Sequence, residues 1–406
     1  MAAAARKRKA ASQRLDATPA ARHDSGMDAD IPQPAGLFDP RLYAQVRLPL
    51  AEASTLPASC YTSPQFFARE MERLFRPSWR LIGREDELAS PGAYRAVDTA
   101  AGPVVALRGR DGVLRGFLNS CRHRGAQLLD GHGTCSAVVC PYHAWTYGLD
   151  GTLIAAPAME RAAGFDRRRN GLVPVRLESW GGFVFVNADP HAPQLIETLG
   201  DLPEVLGPYR FGEMQCVRRV EFDVACNWKL LAENALEEYH TGTVHRTSLG
   251  QQQGEAVTTR GFWDALYIRQ DTTIAVLPGD ATTLPHVADL PPKHAGGTFF
   301  TMIYPALQFA CTQDCMWWLD FQPRAADRTR VSVGFVFPKT TAALPGFAEA
   351  VKAYYRRWEV SIGEDNAIGE RQQRGMAAQG RPAGRLSWKE HHVHKLMNWV
   401  LDRVLD

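Results

Sequence analysis

Hydrophobic positions along this chain change their spacing from one segment to the next. In SPQFFAREMERLF they fall on one face of a short helix, with Ser63 as its N-cap and Pro64 at the first helical position. This reading puts the start of ordered structure near Tyr61. From Trp79 to Asn187 the pattern becomes alternating runs, YRAVD, GPVVALRG, GVLRGFLN and GGFVFVNA, broken by Gly-, Asp- and Pro-containing turns. Period-two runs this short predict a small antiparallel β domain. The polar, proline-bearing DPHAPQ that follows predicts a domain boundary. Beyond it the text predicts a helix from about Trp228 to His240. Strands follow over DALYIRQ, FFTMIYPALQFAC, MWWLDFQPR and TRVSVGFVFP, then a long helix over roughly Gly346 to Gly375. Strands followed by helices, without βαβ alternation, predict an α+β chain. The expected division is a tail over residues 1–40, a first domain with its lead-in over 41–190, and a second over 191–406.

Composition narrows the function. Residues 1 to about 35 are rich in Ala, Arg, Asp and Pro with almost no large apolar side chains, which predicts disorder. The Arg- and Ala-rich start also fits a transit peptide, and Met27 offers an alternative start. A net charge of +2 argues against nucleic acid as a partner. No run of about 18 apolar residues predicts a membrane span. With no apolar leader either, the eight cysteines are expected as reduced thiols and the location as cytoplasmic. No G-x-G-x-x-G follows a strand, so neither nicotinamide nor flavin binding is expected.

Two constellations carry chemistry. The first is Cys121-x-His123, sixteen residues, then Cys140-x-x-His143. One thiolate and one imidazole in each clip permit an asymmetric [2Fe–2S] cluster, with Cys₂ on one iron and His₂ on the other. Imidazole donates less charge than thiolate, so such a cluster sits at roughly −150 to +300 mV, against about −400 mV for all-Cys ferredoxins. A structural Cys₂His₂ zinc site is the alternative, although zinc fingers pair like ligands. Cys135 and His132 lie between the clips and are read as ordinary loop residues. In the second, Glu237 and His240 stand three apart on the expected helix, with Gly242 allowing a break that returns His245 to the same point. Two histidines plus one carboxylate from elsewhere would make a 2-His-1-carboxylate site, open to O₂ on Fe(II).

The text N-W-K…E-N-x-x-E-x-Y-H-x₄-H, over 227–245, resembles the catalytic signature of the Rieske non-haem iron oxygenase α subunits, the ring-hydroxylating oxygenase superfamily. YTSPQFFAREMERLFRPSW, CRHRGA, CPYHAWTYGLDGTL and GLVPVRLESWGGFVFVN resemble it too, so the likeness spans nearly all of the chain from about residue 45. The resemblance implies an N-terminal antiparallel β Rieske domain and a helix-grip catalytic domain of antiparallel sheet plus long C-terminal helix. It implies Cys121, His123, Cys140 and His143 around the cluster, and His240 and His245 on the mononuclear iron. Asp365 is the implied third ligand, because in GEDNAIGERQQRG it, and not Glu364, stands five residues before Glu370. Glu237 and Asn234 are the implied catalytic residues, with Glu237 bridging His240 to the neighbouring subunit's cluster histidine.

The implied activity is that of a terminal oxygenase. It would use O₂ and electrons from a ferredoxin or NAD(P)H-dependent reductase to hydroxylate, dihydroxylate or demethylate a small molecule, as a homotrimer. A non-catalytic Rieske electron carrier is the alternative, and needs only the first constellation. Glu rather than Asp at 237 resembles the branch acting on quaternary ammonium substrates, although Thr241 stands where that branch often has Cys. Expected cavity walls are Leu236, Trp263, Tyr267, Ile303, Tyr304, Phe309 and Trp317, and the text assigns no Arg or Lys to a substrate carboxylate.

Overall fold

The alternating runs form the strands they predict. A computed structural model of the protein describes residues 36–280 and 284–406, so the tail expected over 1–40 lies, up to residue 35, outside the described residues. The first ten strands are β1 (Arg80–Arg84), β2 (Ala93–Thr99), β3 (Gly102–Arg108), β4 (Leu114–Leu118), β5 (His132–Thr134), β6 (Val138–Val139), β7 (Thr146–Tyr147), β8 (Leu153–Ala155), β9 (Pro174–Trp180) and β10 (Phe183–Asn187). They make an antiparallel sheet in the order β1-β10-β9-β4-β3-β2-β5 and a three-stranded sheet β6-β7-β8.

The second half contributes β11 (Met214–Val224), β12 (Gly254–Val257), β13 (Trp263–Arg269), β14 (Gly297–Ile303), β15 (Leu307–Cys311), β16 (Met316–Ala325) and β17 (Arg328–Pro338). Their order is β11-β17-β16-β15-β14-β13-β12, with every neighbouring pair antiparallel. Both faces of this sheet are buried, which is why its central strands read as long apolar runs.

Helices cover one face. They are α1 (Pro64–Glu70), α2 (Trp228–Asn234), α3 (Thr241–Val244), α4 (Phe347–Met376) and α5 (His391–Val404). Ser63 caps α1 as expected, its Oγ accepting from Phe66 N–H at 3.2 Å. In α4 the buried side chains Val351, Tyr354, Trp358 and Ile362 recur every three or four residues, the stripe that seats it on the sheet. Where α2 crosses α4, Gly369 has no Cβ to strike the Leu231 side chain, which an added Cβ would meet at 3.1 Å.

Three expectations change. Among the described residues regular structure begins at Pro40 rather than near Tyr61, because a 3₁₀ turn over Pro40–Tyr43 buries Tyr43 and Asp39 caps it. The lead-in, expected with the first domain, packs with the second: Tyr43, Leu56, Tyr61, Phe66 and Leu74 share one core with Trp228, Trp358 and Val393. The helix expected to reach His240 stops at Asn234.

The opposite face of the large sheet meets the first sheet. Leu81, Phe183 and Phe185 from β1 and β10 join Trp263, Phe309 and Trp318 in a second core, each large side chain contributing about 1.5–3 kcal/mol by its burial. Polar clamps fix the contact. Arg80 Nη2 donates to the buried Asp320 carboxylate at 2.6 Å, and Arg84 Nη2 donates to the carbonyls of Phe211 and Met214 at 3.0 and 2.8 Å.

Candidate metal centres and active site

The two Cys/His clips are built to one plan. Cys121 N–H donates to Ala126 O at 2.8 Å and Gly125 N–H to Cys121 O at 2.9 Å. In the other clip Cys140 N–H donates to Trp145 O at 2.8 Å and Ala144 N–H to Cys140 O at 3.1 Å. The fifth residue of each turn is left-handed, Gly125 at φ +73° and Ala144 at φ +55°. Glycine takes that conformation freely; alanine takes it at a cost of about 1–2 kcal/mol.

Each turn buries its cysteine and pushes its histidine outward. Cys121 and Cys140 sit in the small core with Trp145 and Tyr147, whereas the His123 and His143 rings stand at the surface, centroids 4.7 Å apart. Burial raises the Cys140 thiol, but the backbone N–H groups of Tyr142 and His143, with Cys121, outweigh it and hold the pKa below the ordinary cysteine value. Burial, then the nearby His123 and Arg124, depress His143 towards neutral imidazole. Its Nδ1 is buried and has no hydrogen-bond partner among the described residues. A thiolate-prone cysteine beside a neutral imidazole with a free ring nitrogen is a donor set that fits an iron–sulfur cluster. His132 lies on the exposed strand β5, and the Cys135 thiol lies 3.8 Å from Gly92 O at the edge of the same small core.

The second constellation comes together from three pieces of chain. Because α2 ends at Asn234, Glu237 and His240 lie in the turns that follow it, and α3 carries the chain on to His245. Gly242 sits inside α3, so the break falls before His240 rather than after it. Asp365 arrives on α4, whose position relative to α2 is fixed by its own neighbours: Glu370 accepts from Ala225 N–H at 3.1 Å, and Gln373 from Asn227 N–H at 2.9 Å.

Ligand atoms of His240, His245 and Asp365 all lie within 4.8 Å of one another. Asp365 Oδ1 is 3.2 Å from His245 Nε2 and 3.6 Å from His240 Nε2, yet it has no hydrogen-bond partner among the described residues. Each histidine is oriented from behind by its own carboxylate. Glu237 Oε1 takes the Nδ1 of His240 at 2.8 Å, and Glu364 Oε2 takes the Nδ1 of His245 at 2.7 Å together with Ser248 Oγ at 2.6 Å. A proton on Nδ1 leaves the Nε2 lone pair facing inward. Burial lowers the His245 pKa, but Asp365 and then Glu364 outweigh it and hold it above the ordinary histidine value. Two imidazole nitrogens and one carboxylate oxygen converging on a point make a donor set that fits a divalent metal.

A cavity of about 80 Å³ opens beside this point, several water molecules' worth of space. Asn234 and Glu237, expected at the site, both line it, as do Phe300, Phe321, Trp358 and Arg357. None of the seven expected wall residues does. Leu266, Ile268 and Phe300 point into the cavity, whereas Trp263, Tyr267 and Ile303 belong to the core on the other face. Alternate residues of a strand face opposite ways, so an error of one position exchanges wall for core. Glu364, a rival ligand by sequence, instead backs His245, and Arg357, on which the sequence carries no signal, lines the same cavity.

Residues 78–174 match the Rieske [2Fe-2S] domain and residues 211–406 the ring hydroxylating alpha subunit (catalytic domain), together more than two thirds of the chain. The carnitine monooxygenase oxygenase subunit of Escherichia coli (strain K12) is 41% identical over 203 residues, covering 48% of this chain and 53% of that protein. The glycine betaine monooxygenase oxygenase subunit of Chromohalobacter salexigens is 35% identical over 192 residues, covering 47% and 43%. The chain thus spans about half the length of these relatives. A solved quaternary ammonium Rieske monooxygenase, described for carnitine oxidation and inter-subunit electron transfer, superposes with a TM-score of 0.75. It is 28% identical, and the match covers 86% of this chain and 95% of that one. The chain belongs to the Rieske oxygenase α-subunit family, whose two parts carry a [2Fe–2S] cluster and a mononuclear iron.

Proposed function

We propose that this chain is the terminal oxygenase of a multicomponent system, oxidising a small quaternary ammonium compound with O₂ and reductase-supplied electrons. One observation carries the reading: the Nε2 atoms of His240 and His245 converge with Asp365 Oδ1, unpartnered among the described residues, beside a cavity, in a chain that also holds the two matched Cys/His turns. An electron carrier has no use for the first of these. Relatives acting on carnitine and glycine betaine favour the quaternary ammonium branch over aromatic rings. We read the sheets over about residues 80–187 as the cluster-bearing part, and residues 191–406 together with the lead-in that packs on them as the oxygen-activating part.

In this reading Cys121, Cys140, His123 and His143 hold the cluster, and His240, His245 and Asp365 hold Fe(II). When bound, these groups supply one-electron transfer and O₂ activation. The chain's own residues orient and exclude. Glu237 and Glu364 keep each Nδ1 protonated and each ring aimed, and Glu237 offers a proton-coupled link to a neighbouring subunit's cluster histidine. Phe300, Phe321 and Trp358 give the cavity its apolar walls. A ferredoxin or reductase would deliver electrons, and a homotrimer would pair each cluster with the next subunit's iron. No helix among the described residues is long and apolar enough to cross a membrane; a cytoplasmic location is part of the proposal.

Anaerobically purified protein should contain about three irons and two acid-labile sulfides per chain. It should also couple NADH oxidation by a surrogate reductase to O₂ uptake with a quaternary amine. One zinc and no labile sulfide would overturn the reading. Mixed trimers of Cys140→Ala and Asp365→Ala subunits should recover part of the activity that neither homotrimer has; assembled, metal-loaded mixtures without activity would refute the trimer path.

A further inference from the structure

Cavities beside a metal centre select their substrates by the charges left unanswered in their walls, and this one contains a buried cation. Arg357 lines the cavity on α4 and is 2% exposed. Its Nε donates to Ile274 O at 3.0 Å and its Nη1 to Ser361 Oγ at 2.9 Å, but Nη2 makes no hydrogen bond among the described residues. Nor does any described carboxylate form an ion pair with it. The guanidinium lies over the Trp358 ring at 4.3 Å, which fixes its plane. Trp358 lines the same cavity, and its indole N–H is buried and unpartnered among the described residues.

A fully buried charge without a counter-charge is expensive, and proteins retain one where something else supplies the opposite charge. Burial pulls the Arg357 pKa down to about 10, with Asp365, Cys315 and Glu364 opposing, so the group stays protonated at neutral pH. The acids at the other end of the cavity are already engaged: Glu237 by His240, and Glu238 by Lys389 at 3.0 Å. Arg357 and Asp365 stand eight residues apart on one helix, about 12 Å along its axis. The two side chains line one cavity at these two levels of the helix.

We infer that Arg357, with the Trp358 N–H, binds a carboxylate of the substrate, so that the substrate is a small carboxylic acid whose far end lies at His240, His245 and Asp365. This rests on the oxygenase reading for what happens at that far end. It also places Arg357 as the residue that separates betaine-type acids from quaternary ammonium compounds of the same size that lack a carboxylate.

The test is anaerobic titration of the full, cluster-loaded chain, followed by intrinsic tryptophan fluorescence and calorimetry. The probes are matched pairs: L-carnitine and its methyl ester, glycine betaine and choline, 3-phenylpropionate and its amide. A hydrogen-bonded pair to a buried charge gives a preference of about 10- to 100-fold for the acid over its partner without the carboxylate in at least one pair. Arg357→Gln should bring that preference to within about 3-fold, while Arg357→Lys keeps part of it. If no acid outcompetes its partner on the wild-type chain, or if Arg357→Gln keeps the full preference, the assignment is overturned. Should Arg357→Gln not fold, the wild-type pairs and Arg357→Lys still decide. Iron and labile sulfide on the same samples separate the two readings. Metals present without acid preference refute this inference alone, and acid preference without those metals refutes the oxygenase.

Discussion

The carboxylate behind His245 offers the sharpest test of how the mononuclear site is held. Glu364→Gln preserves shape and removes the charge that His245 Nδ1 and Ser248 Oγ now share at 2.7 and 2.6 Å. A neutral amide accepts more weakly and, once rotated, presents N–H groups to both donors, so the imidazole loses its anchor and its preferred tautomer. Losing an orienting partner of a metal-bound histidine typically costs 10- to 100-fold in metal affinity, or about 1.4–2.7 kcal/mol. Because Asp365 remains, the site is weakened and not destroyed. The assay is equilibrium dialysis against Fe(II), with the visible bands of the cluster recorded on the same samples. The expected result is an iron Kd raised about 10- to 100-fold with unchanged bands, against complete loss of bound mononuclear iron for Asp365→Ala. An iron Kd within about 2-fold of wild type would refute the reasoning, and so would Glu364→Gln behaving as Asp365→Ala does.

Other predictions concern the frame around the sites. Lys229 Nζ and Glu70 Oε1 form a fully buried ion pair at 2.6 Å. Lys229→Met should therefore cost about 3–5 kcal/mol, read as a lower urea midpoint, while the double variant Lys229→Met/Glu70→Leu recovers most of it. Burial lifts the carboxyl of Glu233 to about 8, against the lowering effects of Tyr61 and Lys229. Between about pH 4.5 and 8 the unfolded chain has then released a proton that the folded chain keeps, so stability falls as pH rises through that window. Glu233→Gln should flatten this slope in thermal melts taken from pH 5 to 8.5, and an unchanged slope would count against it. Gly125→Ala forces alanine into φ +73° and should cost about 1–2 kcal/mol; because an added Cβ meets only Ser120 Oγ at 3.9 Å, the cluster bands should survive.

What the sequence disclosed follows from how locally each feature is encoded. The Cys/His turns are written within six residues each, including the glycine that one of them requires. The strands announce themselves by alternation, and α4 by a stripe that repeats over thirty residues. The end of α2 was not legible, because Ala-Leu-Glu-Glu after Asn234 is good helix-forming text, and the turn there is dictated by what the histidines must reach. The role of Glu364 was hidden for a similar reason. Neighbours on a helix point about 100° apart, so the spacing that marks Asp365 as the ligand carries no sign that Glu364 backs the histidine. Cavity walls failed on parity: Tyr267 and Leu266 are adjacent in the text and on opposite sides of the sheet. Arg357 looked like one more charged residue on a helix until Trp358 and Ser361 were seen around it.

Before it enters β1 the chain has already built part of the oxygen-activating core, with Tyr43, Tyr61 and Leu74. It returns there after β10. The cluster-bearing sheets are thus an insertion, and its two ends are tied together: Asn187 Nδ2 donates to Pro77 O at 2.9 Å. A cassette whose ends meet at one clasp can be exchanged between hosts without stretching either. For the same reason it has no single hinge to swing on. Its freedom is a rotation about the clasp, and Arg80, locked to Asp320 on the host's sheet, takes that away. The position of the inserted sheets is therefore set by the face they share with the large sheet, and not by the length of a tether.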